Sequence, residues 1–151
     1  MKHQVKYVPK EWGYEKWIEN NEKYCGKILR IYKQYKTSFH VHNIKSETFY
    51  LQEGLVFVRV KEPINLDKFA HKIKLVLLKP GDCLHIPVGT SHSIIALEDS
   101  SIFEVSTQHV ESDSIRFDYS RKIADSEFER YKDILGKLYE SGVYEETIEI
   151  L

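Results

Sequence analysis

His40 and His42 stand two residues apart in the run FHVHNIKSETFYLQEG, Phe39 to Gly54, and Glu47 follows on the same run. Side chains alternate faces along a strand, so both imidazoles point the same way from Cα atoms about 6 to 7 Å apart, and Phe39 and Val41 take the other face. Glu47 opens the next β-rich segment, where the same-parity residues Phe49 and Leu51 are apolar. That parity turns its carboxylate toward the interior the histidines face. A buried carboxylate without a partner is strongly penalised, and a divalent cation removes the penalty. Imidazole nitrogens and a carboxylate oxygen at about 2.0 to 2.2 Å suit Zn, Fe, Mn, Ni or Co. Two histidines on a strand are also compatible with surface or hydrogen-bonded imidazoles, so this segment alone leaves both uses open.

A second segment, GDCLHIPVGTSH from Gly81 to His92, brings a turn glycine, a strand, the turn Pro87-Val88-Gly89 and then His92 at the head of another run. Together the two segments resemble the paired motifs of the cupin superfamily. His40, His42, Glu47 and Gly54 stand at the positions of the first motif, and Gly81, Pro87, Gly89 and His92 at those of the second. Gln34 stands where the first motif opens on glycine, and Ala96 where the second closes on asparagine. The resemblance implies an all-β fold, a cupin double-stranded β-helix (jelly-roll) barrel, with a homodimer as its assembly. It also implies one divalent transition metal held by His40, His42, Glu47 and His92, with a coordination position left for water or substrate. His85 has a parity opposite to the cavity and is expected to face outward; His109, after the last strand, is expected at the barrel mouth.

The elements that must position these residues follow from patterning. β-rich runs are predicted at 14–18, 24–33, 38–42, 48–52, 55–60, 73–78, 83–86, 93–97 and 102–107, separated by turn residues such as Lys79-Pro80-Gly81-Asp82. Between them, 61–72 breaks the period of two and is expected to be a loop. From Asp125 the period changes: Phe128, Tyr131, Ile134, Leu135, Leu138 and Tyr139 mark one face of a helix over about 125–141. Ser126 with Glu129 is expected to form a capping box and Gly142 to stop the helix. At 151 residues the chain fits a single cupin domain, with the barrel over about 11–121.

Charge bounds the partners. Lys plus Arg number 22 against 23 Asp plus Glu, with no long run of one sign, which argues against a nucleic-acid surface. The opening MKHQVKYVPKEW has no apolar secretory core, and no apolar run approaches a membrane span. A cytoplasmic protein with a small-molecule substrate is expected. Cys25 and Cys83 are far apart and are expected to be free thiols.

The flanks carry a narrower resemblance. EWGYEKW near the start and EVSTQHVESDSIRFDYSR at 104–121 are similar to the flanks of the C-terminal cupin domain in type II mannose-6-phosphate isomerases, through Trp12, Gly13, Glu104, Val105, Asp113, Arg116 and Arg121. Glu11, Ser93 and Ser120 depart from that pattern. The resemblance implies an isomerase or epimerase of sugars or sugar phosphates; Glu47, on leaving the metal, is a candidate catalytic base, and a Lys, a Tyr or His109 at the rim are the others. Substrate contacts are expected from His109, Arg116, Arg121, Arg30 and Lys36, with Arg59 a further phosphate candidate. An iron-dependent dioxygenase and a non-catalytic carbohydrate-binding cupin are the alternatives.

Overall fold

The computed structural model describes residues 1–61 and 71–150. Most of the loop expected at 61–72 lies outside the described residues. Strands β1 (Lys6–Lys10), β2 (Gly13–Asn20), β3 (Cys25–Ile31), β4 (Tyr35–Lys36), β5 (His40–His42), β6 (Glu47–Glu53) and β7 (Val56–Lys61) form the first half. The second half holds β8 (His71–Leu78), β9 (Cys83–Ile86), β10 (Ser91–Ala96), β11 (Ser100–Ser106), β12 (Ser114–Arg116), β13 (Arg121–Lys122), helix α1 (Asp125–Ser141) and β14 (Glu145–Ile150).

Two antiparallel sheets face each other. One has the order β1-β2-β3-β11-β6-β9 and the other β12-β5-β10-β7-β8-β14, with β4 joined to β10 and β13 to β4. The inward-facing residues of both sheets form one core, with Leu29, Ile31, Phe49, Leu51, Val58 and Ile102 at its centre. Alternation is regular in β3, where every second residue from Cys25 is buried. Each fully buried aliphatic or aromatic side chain of this kind stabilises the fold by about 1.5 to 3 kcal/mol.

A second apolar layer lies on the outer face of the other sheet. Phe57, Leu75, Leu77 and Ile95 point there and are covered by Phe128 and Leu138 of α1, with Tyr131, Ile134 and Leu135 at the margin. The helical face therefore packs as its period predicts, except that Tyr139 is exposed. The cap also differs from expectation. The N-cap is Ala124, with no side-chain cap bond, so Ser126 and Glu129 form no capping box. Asp125 is engaged elsewhere, because its Oδ1 accepts a 2.6 Å hydrogen bond from Gln34 Nε2. Gly142 closes the helix with φ 70°, donating its N–H to Leu138 O.

Gln34 occupies the left-handed region at φ 70°, so the turn that opens the first motif is built without its glycine. The cost of that conformation, of order 1 to 2 kcal/mol, is offset by anchoring. Its N–H donates to Ala96 O, its carbonyl accepts from Ile123 N, and Nε2 also donates to Ile123 O. The two positions where the chain departs from the motifs thus meet across one hydrogen bond.

Five strands escape the pattern: β1, β4, β12, β13 and β14. β1 pairs with β2 although it contains Pro9, which sits at the sheet edge where a missing donor is tolerated. β14 pairs in full register with β8, from Glu145 opposite Val76 to Ile150 opposite His71.

At Gly54, with φ 95°, an added Cβ would lie 2.3 Å from Ser100 Oγ and 2.5 Å from Asp99 O. Gly54→Ala is expected to destabilise the fold by clearly more than about 1 kcal/mol, because strain and collision add. A urea midpoint equal to that of the wild type would contradict this account of the turn.

Candidate metal centre

The ligand candidates come from both sheets. β5 lies between β12 and β10, and in the antiparallel ladder His40 stands directly opposite His92. Glu47 is the first residue of β6 in the other sheet. Residues 43–46 cross from one sheet to the other, so the short connection between His42 and Glu47 spans the barrel's end. It is held by Asp113, whose carboxylate accepts the backbone N–H groups of Asn43, Ile44 and Lys45 at 2.9 to 3.0 Å. The Pro87-Val88-Gly89 turn is tied to the same place, since Gly89 N–H donates to His42 O.

One donor atom from each of His40, His42, Glu47 and His92 lies within 4.8 Å of all the others. His42, Glu47 and His92 are at most 6% exposed. His40 Nδ1 donates to Ser38 O at 2.8 Å and His92 Nδ1 to Thr90 O at 3.0 Å. Carbonyl oxygens only accept, so each ring carries a proton on Nδ1 and turns Nε2 to the centre. Burial, then the neighbouring His92, lowers the His40 pKa to about 3. Burial, then the Lys45 ammonium, lowers that of His42 to about 4. Neutral imidazoles are the form that binds metal.

Buried polar atoms almost always have partners. Here His92 Nε2, Glu47 Oε1 and His42 Nδ1 have no hydrogen bond. His92 Nε2 and Glu47 Oε1 approach to 2.8 Å without hydrogen-bond geometry. Two such atoms this close need a proton or a cation between them. Four nitrogen and oxygen donors gathered this closely match the donor set of a divalent transition metal. The residues fit a divalent metal.

A charged wall extends from the cluster. Lys45 Nζ lies 2.8 Å from Glu47 Oε2 and 2.6 Å from Glu104 Oε1. All three residues are buried, at 3 to 4% exposure. Against burial, His92 and Lys45 hold the Glu47 carboxyl well below its ordinary range. Burial and the charge of Glu47 raise that of Glu104. Burial opposes the charge on Lys45, but Glu104 and Glu47 outweigh it and raise its pKa. Lys27, also buried, lies 3.6 Å from Glu15 Oε2 and 4.3 Å from the centre of the Trp17 ring.

These groups line a cavity of about 240 Å³. His109 and Arg116 line it too. Arg116 stands opposite His40, and Ser114 opposite His42, so β12 presents them on the metal face. Arg116 Nη1 donates to Ser38 Oγ at 2.6 Å. His109 Nε2 donates to Glu111 Oε1 at 3.2 Å, and its ring meets Trp17 edge-on at 5.0 Å. Burial is the main cause that lowers its pKa.

Three expected substrate contacts lie elsewhere. Arg30 points outward from β3 and binds Ser101 and Glu53. Arg121 pairs with Glu127 of the helix. Lys36 is buried against Asp118, off the cavity wall. Arg59 donates from Nε to Ser93 Oγ at 2.6 Å, across the ladder on the outer face of its sheet, opposite in parity to His92. His85 is exposed and bonded to Thr48, as its parity predicts.

No family model matches the chain, and no curated protein does. Solved structures do. KdgF from a Halomonas species superimposes with a TM-score of 0.58 at 18% identity, over 73% of this chain and 90% of that one. Oxalate decarboxylase from Bacillus subtilis gives 0.63 at 18% identity, over 75% of this chain; the match spans only 30% of the decarboxylase. Likeness at this level establishes the fold.

Removing one acceptor from the clamp on the ligand loop should reach the metal. Asp113→Asn is expected to weaken binding of a divalent transition metal by about 10- to 100-fold, read by competition with a chromophoric chelator. Unchanged affinity would mean the loop keeps its shape without the carboxylate.

Acid should destabilise the metal-free protein. Because His40 and His42 have folded pKa values of about 3 and 4, below the ordinary 6.5, the unfolded chain binds more protons between those limits. Stability is then complete above pH 6.5 and falls on acidification, each histidine contributing a slope of up to about 1.4 kcal/mol per pH unit. The depressed Glu47 carboxyl adds loss in the same direction at lower pH. Urea midpoints in the presence of chelator, flat from pH 7 to pH 4.5, would contradict the buried neutral histidines.

Proposed function

We propose, from the premise that the chain is a cupin barrel with a buried His-His-Glu-His cluster, that it is a metal-dependent enzyme moving a proton within a small, oxygen-rich anion. The reaction class is an aldose–ketose isomerase or epimerase of sugars or sugar phosphates. One observation carries the reading: the cluster, Arg116 and His109 line the same cavity.

A divalent metal held by His40, His42, Glu47 and His92 would polarise a carbonyl oxygen as a Lewis acid. Arg116 has no ion-pair partner among the described residues, which leaves its charge for an anionic group of the substrate. Glu111 accepts the Nε2 proton of His109, so Nδ1 carries the lone pair. That nitrogen is buried and without a partner, as a general base awaiting a substrate proton would be. Glu47 is less suited to that role, because Lys45 engages one oxygen and the histidines surround the other. Its part in this scheme is to hold the metal. The tight cavity favours a metabolite-sized substrate over a polymer.

The test is hydrogen exchange. Metal-loaded protein is incubated in D₂O with a panel of hexoses, pentoses and their phosphates, and deuterium at C2 is followed by NMR. Exchange is expected with at least one member and is abolished in His92→Ala. His109→Asn should lower kcat by about 10²- to 10⁴-fold, the usual worth of a positioned base. Arg116→Ala should raise KM more for the phosphorylated member of a pair than for the free sugar. A panel without any exchange under Zn, Mn, Fe, Co or Ni sinks the isomerase reading.

A further inference from the structure

The two oxygens of Glu47 have different surroundings. Oε1 faces the histidines, 2.8 Å from His92 Nε2 and 3.8 Å from His42 Nε2. Oε2 faces away from them and meets the Lys45 ammonium at 2.8 Å. We infer that Lys45 is a positioning residue that restricts Glu47 to one metal-binding oxygen, so that the centre has room for a ligand chelating through two adjacent oxygens. The inference rests on the metal reading above and goes beyond it in naming the ligand's denticity.

Lys45 can impose this because it cannot swing away. Its backbone N–H is fixed to Asp113 Oδ2 at 3.0 Å, and its ammonium is held from the far side by Glu104. Glu104 in turn sits on β11, paired with Lys27 of β3 on one side and Phe49 of β6 on the other. Three strands therefore set the position of the ammonium, and the ammonium sets the rotation of the Glu47 carboxylate. An apolar side chain in the same space would offer Oε2 no hydrogen bond, and a buried carboxylate oxygen without one turns to the nearest cation.

Charge points to the same ligand. Lys45 with Glu47 and Glu104 carries a formal charge of one negative, which a divalent cation converts to one positive. An anionic ligand presenting two oxygens, such as a 2-hydroxy acid or the enolate of a 2-hydroxy carbonyl compound, would offset that charge, with Arg116 free for any further anionic group. A bidentate Glu47 would leave too few coordination positions for such a chelate.

The experiment loads Mn(II) into the wild type, Lys45→Met and the double variant Lys45→Met with Glu104→Gln, the last so that no buried carboxylate is stranded. Water-proton relaxivity counts the exchangeable waters on the metal, and glycolate serves as a two-oxygen probe. In the six-coordinate ion, three histidines and one oxygen leave two waters; a second carboxylate oxygen leaves one, so the inner-sphere relaxivity should fall by roughly half in both variants. Glycolate affinity should fall with it. Full metal loading with unchanged relaxivity in either variant overturns the inference, because Glu47 then stays monodentate without Lys45. Loss of the metal from both variants also overturns it, since Lys45 would then decide whether Glu47 binds and not how. A wild type that takes up no divalent ion removes the metal reading itself, and this inference with it.

Discussion

A carboxylate removed from water between two sheets governs the arrangement of everything near it. Glu47 is 3% exposed, and an uncompensated charge at such a place costs several kcal/mol even after relaxation. The chain answers with Lys45, and Lys45 in turn requires Glu104. Deleting one member of such a buried group typically costs about 3 to 5 kcal/mol, because the remaining charge is stranded. His40 and His42 follow the same logic from the other side: burial disfavours their charged form, so they add no charge to be matched. The ionic arrangement is compact because each ion is placed by a different strand or loop and none depends on a flexible surface side chain.

The barrel separates two jobs by face. Odd and even positions of β10 show this plainly: His92 and Ile94 look inward, while Ser93 and Ile95 look toward the layer beneath the helix. Asp118 links the two sides at the mouth. It accepts from Phe39 N–H and pairs with Lys36 and Arg59, yet it also lines the cavity. The chain just beyond Arg116 is thereby fastened to Lys36 of β4 and to Phe39, which precedes β5, since Phe117 N–H also donates to Phe39 O.

Much of this was legible in the sequence, and the reasons are physical. Strict alternation put His40, His42 and Glu47 on one interior, and the turn residues at Gly54, Gly81 and Gly89 fixed where strands had to end. Helical periodicity placed α1, failing at the exposed Tyr139 and at the polar cap, where Asp125 serves Gln34 in place of the helix. Lys45 was not legible, because it lies in an irregular connection where parity carries no information. Glu104 and Lys27 were within reach: each occupies a core-parity position, Glu104 two residues after Ile102 and Lys27 two before Leu29. A charge at such a position is itself a signal of a buried network. Arg30 and Arg121 were misplaced because residue type was weighed without the face on which it projects. β14 lacked a signal because its partner edge, β8, comes into being only in the folded sheet.

The anchoring of Gln34 has a mechanical consequence. Its backbone N–H grips β10 through Ala96, while its carbonyl and side-chain amide grip Ile123 and Asp125 at the root of the helix. One residue therefore joins the strand that carries His92 to the segment that covers the opposite face of the sheet. Load applied to the helix would pass through Gln34 as a torque about a left-handed backbone with little freedom to yield. The outer layer then behaves as a stiffener for the wall that bears the ligands, so the rigidity of the metal cluster is set in part from outside the barrel.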